Sequence, residues 1–316
     1  AATPTGEVGV KRATVDVRDM PFRTAARRPP GTTLLQATEL AKTFGGVRAV
    51  DGVSLTVHAG ETVGLIGPNG AGKTTTFELL SGFLRPDRGT VWFDGQDVTT
   101  LGPETRAQLG LIRSFQDSAL FPTMTVTEAV ALALERPLPT GFVSSVVGLS
   151  MRDGDKERQA GDIVGLMGLH PYRHMQIQEL STGTRRITEL ACLVATRPTM
   201  LLFDEPSTGI AQRETEALGT VLRDIKEALG VTLVVIEHDM PLIMGLADRI
   251  VAMADGKVIA SGPPEMVQRD PLVVEAYLGG SVAAIERSGP AMGDGQVTSR
   301  RAARLASAAP SERGRR

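Results

Sequence analysis

Three short apolar runs punctuate the chain: Thr62–Ile66, Met200–Phe203 and Val231–Ile236. Each is too short for a helix and has no polar alternation, so each reads as a strand buried on both faces. Val53-Ser54-Leu55-Thr56-Val57 alternates with period two and reads as a half-buried strand. Between the second and third runs, Leu218, Val221, Leu222, Ile225 and Leu229 share one helical face, and Gly230 is placed to end that helix. Strand, helix, strand predicts a right-handed parallel crossover. Further on, Ile250–Ala254 and Lys257–Ala260 flank Asp255-Gly256, a two-residue hairpin signal. The stretch from about Asp117 to Glu179 has helical spacing. Thr125 and Glu128 form a capping box ahead of Ala129–Leu134, and Lys156–Leu169 continues the helical pattern. The pattern predicts an α/β core, mostly parallel, with an antiparallel β part and a helical insert at about 117–185.

The ends lack this patterning. Residues 1–32 hold Arg27-Arg28-Pro29-Pro30-Gly31 and few apolar positions, and residues 282–316 are rich in Gly, Ser, Ala and Arg. Both read as segments unable to bury enough surface to offset chain entropy: a flexible linker before the folded region 33–281 and a disordered basic tail after it. A basic arm touching anionic headgroups is the sharper reading of the tail. No run reaches the roughly 18–20 apolar residues needed to span a bilayer, because Asp248 and Arg249 interrupt the nearest approach, Pro241–Ala254. The first residues carry no signal-peptide pattern, and they leave open whether the chain follows a membrane domain in a longer polypeptide.

Composition narrows the picture further. The chain has 316 residues, 41% of them hydrophobic, enough for a sizeable core. A formal net charge of −2 gives no reason to expect nucleic acid as a partner. The one cysteine, Cys192, lies in the apolar helical run Ile187–Ala195 and reads as a core residue. No His/Cys cluster has metal-ligand spacing.

The chemistry concentrates after the apolar runs. Gly67-Pro68-Asn69-Gly70-Ala71-Gly72-Lys73-Thr74-Thr75 matches G-x-x-x-x-G-K-[ST], between a predicted buried strand and a helical run, Thr74–Leu80. Such a loop turns backbone N–H groups and a helix N-terminus towards phosphate. Lys73 would reach the β- and γ-phosphates, and Thr74 would place its hydroxyl on Mg²⁺. The run Met200–Phe203 ends in Asp204-Glu205, putting carboxylates where open α/β sheets bind ligands. Asp204 would hold Mg²⁺, and Glu205 would polarise an attacking water. His238 follows the third run, where a γ-phosphate contact is in reach.

These residues resemble the ATP-binding-cassette ATPases, and the resemblance spans about Leu34 to Gly280 with the motifs in the family's order. It implies a P-loop NTPase core with an antiparallel β subdomain and a helical subdomain, binding ATP with Mg²⁺. It places Phe44 against adenine. Gln116 becomes the glutamine that links the nucleotide and its metal to the membrane domains. Leu180-Ser181-Thr182-Gly183-Thr184 becomes the signature, whose Ser181 and Gly183 would cap a γ-phosphate bound to a partner. Ala41–Val50, the helical insert and the ending Tyr277-Leu278-Gly279 are similar to the ATPases of branched-chain amino acid importers. That subgroup implies a peripheral protein on the cytoplasmic face of the cell membrane. Its partners would be permease subunits or domains, a second cassette and a solute-binding protein. Non-transport members of the family and a weakly hydrolysing nucleotide-binding regulator are the alternative readings.

Two departures stand out. The family signature is usually Leu-Ser-Gly-Gly-Gln, and here Thr182 and Thr184 replace a glycine and the glutamine. The loop after Glu205 often ends in aspartate, and here it reaches Ala211. Both concern what the chain offers its partner, while Lys73, Thr74, Asp204, Glu205 and His238 are intact. An asymmetric pair, catalytic here and weaker in trans, is the resulting expectation.

Overall fold

The computed structural model describes residues 28–114, 120–135 and 151–278. Apart from Arg28–Thr32, the predicted linker lies outside them, as do the basic tail and Gln116.

Two sheets carry the fold. The first is antiparallel, built from β1 (Thr33–Phe44), β2 (Val47–His58), β4 (Arg88–Phe93) and β5 (Gln96–Asp97) in the order β2-β1-β4-β5. The second contains β3 (Thr62–Ile66), β6 (Leu111–Arg113), β7 (Met200–Asp204), β8 (Thr232–Ile236), β9 (Arg249–Ala254) and β10 (Lys257–Gly262) in the order β10-β9-β3-β8-β7-β6. All its pairings are parallel except the β9–β10 hairpin, whose turn Asp255-Gly256 has positive φ at both residues as predicted. The predicted half-buried strand is the inner half of β2, and Val53, Leu55 and Val57 point inwards. The full β1–β2 hairpin around Gly45-Gly46 is longer than the alternation suggested.

The three apolar runs form β3, β7 and β8, each buried along its whole length. Their side chains divide by strand period between two cores. Leu65, Met200, Leu202, Val234 and Ile236 pack towards the antiparallel sheet, together with Phe77, Leu79 and Leu80 of helix α1 (Lys73–Ser81). Leu201, Phe203, Leu233 and Val235 pack towards the other helices. Those are α2 (Pro103–Gln108), α3 (Val126–Ala133), α4 (Met151–Leu166), α5 (Thr182–Ala195), α6 (Gln212–Leu229), α7 (Met240–Leu246), α8 (Pro264–Val267) and α9 (Pro271–Leu278). Helix α6 buries Leu218, Leu222, Ile225 and Leu229, and Gly230 ends it in the left-handed conformation. Thr125 caps α3 through the reciprocal bonds of a capping box with Glu128. Helix α4 begins before the predicted Lys156, and its end is closed by Leu169 N–H donating to Val164 O. Cys192 packs against the helical core, and burial beside Glu189 pushes its thiol up to about 12. Among the described residues no helix is long and apolar enough to cross a membrane.

One polar contact binds α1 to its surroundings. Arg106 on α2 is fully buried, and its guanidinium donates to Leu79 O, Leu80 O, Leu101 O and Thr99 O at 2.6–3.2 Å. Two of those acceptors lie in the last turn of α1, where a cation complements unpaired carbonyls and the negative dipole end. Burial lowers its pKa to about 10, which still leaves it charged at neutral pH. Arg106→Met, which keeps the stem and removes all four donations, is expected to lower the unfolding free energy by about 3 kcal/mol. Urea denaturation followed by circular dichroism measures the loss.

Candidate functional site

The parallel strands β3, β7 and β8 finish level with one another: Leu65 pairs with Ile236, and Asp204 pairs with Ile236. The loops that leave them therefore emerge along one edge of the sheet. These loops carry residues 67–72, Glu205–Thr208 and Glu237–Asp239.

The first loop is shaped by close backbone approaches. A Cβ at Gly67, with φ of 151°, would lie 2.2 Å from Met253 O, and one at Gly72, with φ of 94°, would lie 2.3 Å from Ala49 O. Only glycine fits either position. The loop wraps the Lys73 ammonium, which donates to Gly67 O at 2.7 Å and to Pro68 O at 3.1 Å. Burial lowers the lysine's pKa, opposed by the charges of Glu205 and Asp204. No side chain caps the N-terminus of α1. Its first N–H groups and dipole thus remain available to an anion. Asn69, Gly70 and Thr74 are exposed on the outer side of this turn, with Thr75 half-buried.

The acidic pair sits at the end of β7. Asp204 is buried, and its Oδ2 accepts from Arg113 Nη2 at 2.7 Å, while its Oδ1 has no partner among the described residues. The Arg113 guanidinium also lies over the Phe83 ring, 5.6 Å from the centroid. Glu205 has a φ of 49°, a strained conformation for a side chain of its size. Its N–H donates to Ile236 O at 2.9 Å, and its carboxylate accepts from Thr208 Oγ1 at 3.1 Å. Glu205 Oε1 is 2.7 Å from His238 Nε2. Thus residues 33 apart in sequence form one pair. Glu237, fully inside, accepts from Ser207 N and Ser207 Oγ, each at 2.8 Å, and from His238 N at 3.1 Å. Burial raises its pKa, and these donors oppose the rise.

The signature residues lie at the start of α5. Ser181 caps α5, accepting from Thr184 N at 3.2 Å, with Thr184 Oγ1 at 3.0 Å. Ser181 Oγ also donates to Glu214 Oε1 at 3.3 Å. The Glu214 carboxylate lies directly against Gly183, since a Cβ there would be 2.5–2.8 Å from its atoms. Phe44 ends β1, half-exposed, with Lys42 Nζ 5.7 Å from its ring centroid. The structure thus brings together Lys73, Asp204, Glu205 and His238. Arg113, Glu214 and Glu237 are additions the sequence reading did not single out as partners.

A family profile described as ABC transporter matches residues 50–208. High-affinity branched-chain amino acid transport ATP-binding protein LivG of Escherichia coli (strain K12) is 37% identical over 249 residues, covering 78% of this chain and 98% of its own. The chain belongs to the ABC transporter family. It is an ATP-binding cassette with ATPase activity. A second profile, described as Branched-chain amino acid ATP-binding cassette transporter, matches the cassette at residues 257–283. BraF of Pseudomonas aeruginosa, a protein of the same description as LivG, is 36% identical with the same coverage. The lipopolysaccharide export system ATP-binding protein LptB of Acidithiobacillus ferridurans is 35% identical, covering 78% of this chain and 97% of its own. Among solved structures, the ADP conformation of MJ1267, an ATP-binding cassette of an ABC transporter, aligns with a TM-score of 0.68 at 29% identity. That alignment covers 78% of this chain and 99% of the other.

Arg113→Met would leave the Asp204 carboxylate of the cassette buried without its hydrogen-bonded counter-charge. The unfolding free energy is expected to fall by about 3 kcal/mol. Adding Asp204→Asn should return part of that loss, because the orphaned charge is then gone. Urea titration of the two variants checks both signs.

Proposed function

We propose that the cassette powers import of branched-chain amino acids or similar small solutes by hydrolysing ATP at the edge formed by β3, β7 and β8. The observation that carries the hydrolytic assignment is the 2.7 Å contact between Glu205 and His238, on the strand ends beside the Lys73 loop. The C-terminal profile match and the LivG and BraF relatives support amino acid import over the export system of LptB.

In this reading Lys73 exchanges the carbonyls of Gly67 and Pro68 for β- and γ-phosphate oxygens. The loop N–H groups, with Asn69, Gly70, Gly72 and Thr75, hold the phosphates, and Phe44 stacks on adenine. The donor set fits a hard cation: Asp204 keeps one buried oxygen without a partner, and Thr74 offers an exposed hydroxyl at the start of α1. Those two residues, with Gln116, would hold Mg²⁺, which when bound neutralises charge on the phosphate oxygens. Glu205 orients a water in line with the γ-phosphorus and takes its proton as the new P–O bond forms and the bond to ADP breaks. His238 keeps the Glu205 carboxylate aimed and meets the departing phosphate. A second cassette supplies its signature to this site, and Ser181 and Gly183 do the same in return. On this chain the Glu214 carboxylate occupies the signature's anion position, so an incoming γ-phosphate displaces it.

Partners in this account are a membrane permease, a second cassette and a solute-binding protein, with the chain peripheral on the cytoplasmic face of the membrane. Phosphate release from Mg-ATP tests the hydrolytic part. Glu205→Gln should bind nucleotide yet turn over about 10² times more slowly or worse, whereas Lys73→Ala should lose nucleotide binding itself. For the cargo, cells lacking their own branched-chain importer ATPase would receive this chain with its permease. Uptake of labelled leucine supports the assignment, and its absence beside active ATP turnover counts against the cargo alone.

A further inference from the structure

Past the last backbone rung between β7 and β8, Glu205 N–H to Ile236 O, the ladder ends. Beyond it, two side-chain links among the described residues join the loops: Glu205 with His238, and Glu237 with Ser207. Glu237 is 2% exposed. Its Oε1 accepts from Ser207 N, and its Oε2 from Ser207 Oγ, His238 N and, at 3.4 Å, Asp239 N. Four donors from two loops therefore converge on one side chain. A carboxylate accepts on both oxygens, whereas glutamine would set an NH₂ group against N–H donors. Burial opposes the charge on this side chain, and the four donors favour it.

The strained φ of Glu205 sharpens the point. Such a conformation persists when its surroundings over-determine it. Glu205 N–H is fixed to β8 on one side, and Ser207, two residues on, is fixed to Glu237 on the other. His238 is fixed through its own N–H to the same carboxylate.

We propose that Glu237 is a positioning residue of the hydrolytic site, extending the β7–β8 pairing with a side chain so that Glu205 and His238 keep one register. The inference rests on the assignment of Glu205 and His238 to ATP hydrolysis given above. Glu237 touches neither nucleotide nor water. It acts by holding both loops, so its loss moves the chemical step and leaves nucleotide binding in place.

The test uses the full chain and compares Glu237→Gln, Ser207→Ala, His238→Ala and Glu237→Gln combined with His238→Ala. Turnover and KM for Mg-ATP are measured beside affinity for a fluorescent ATP analogue. Glu237→Gln is expected to lower kcat by about 10²-fold, the cost of misplacing catalytic groups by about an ångström, with analogue affinity unchanged. In the His238→Ala background the same substitution should cost less than in the wild-type chain, because the part of the loss that runs through His238 is already gone. Wild-type kcat in Glu237→Gln, or losses that multiply in the double variant, would overturn the proposal. Should Glu237→Gln not fold, Ser207→Ala decides: reduced kcat at unchanged affinity supports it, and wild-type kcat overturns it. Glu205→Gln turning over at the wild-type rate would instead overturn the assignment on which the inference rests.

Discussion

Everything at the proposed nucleotide edge depends on the parallel pairing of β3, β7 and β8. Each strand is buried along its whole length, so a slip of one residue would send core side chains to the wrong core. Burial of both faces therefore fixes the register, and the register fixes where three loops leave the sheet. One loop wraps Lys73, one carries the acidic pair and one carries His238. The site is precise because its parts hang from the most constrained element of the fold.

Polar groups within this edge are tied to one another and to the scaffold. Lys73 is held by the carbonyls of its own loop, Asp204 by Arg113, Glu205 by His238, and Ser207 with His238 by Glu237. Each buried charge has a partner, as a low-dielectric interior requires. The one buried carboxylate oxygen left over among the described residues is Asp204 Oδ1. The signature segment is tied in the same way, Ser181 Oγ donating to Glu214 Oε1 at 3.3 Å.

Local signals made much of this legible. Unbroken apolar runs marked the three central strands, the capping box marked α3, and Asp255-Gly256 marked the last hairpin. The glycine-lysine loop and the carboxylates ending an apolar run marked the chemistry, because phosphate binding imposes fixed spacing. The β1–β2 hairpin was only half visible, since its outer residues are exposed and carry no alternation. Arg113, Glu214 and Glu237 were invisible as partners. Their contacts join residues 91, 33 and 30 apart in sequence, and no period within a window reports such pairs. The positive φ of Glu205 is likewise a product of tertiary pairing, since glutamate has no local preference for it. Gln116 lies outside the described residues, so its place at the edge is carried by the family resemblance.

The central claim is that the three strand ends form a single nucleotide site. Hydrogen exchange of the full chain, with and without a non-hydrolysable ATP analogue and Mg²⁺, tests it most directly. The account predicts that protection rises together in segments 67–76, 204–208 and 237–239 on addition of nucleotide. Protection confined to the Lys73 loop, with the other two segments unchanged, would contradict it.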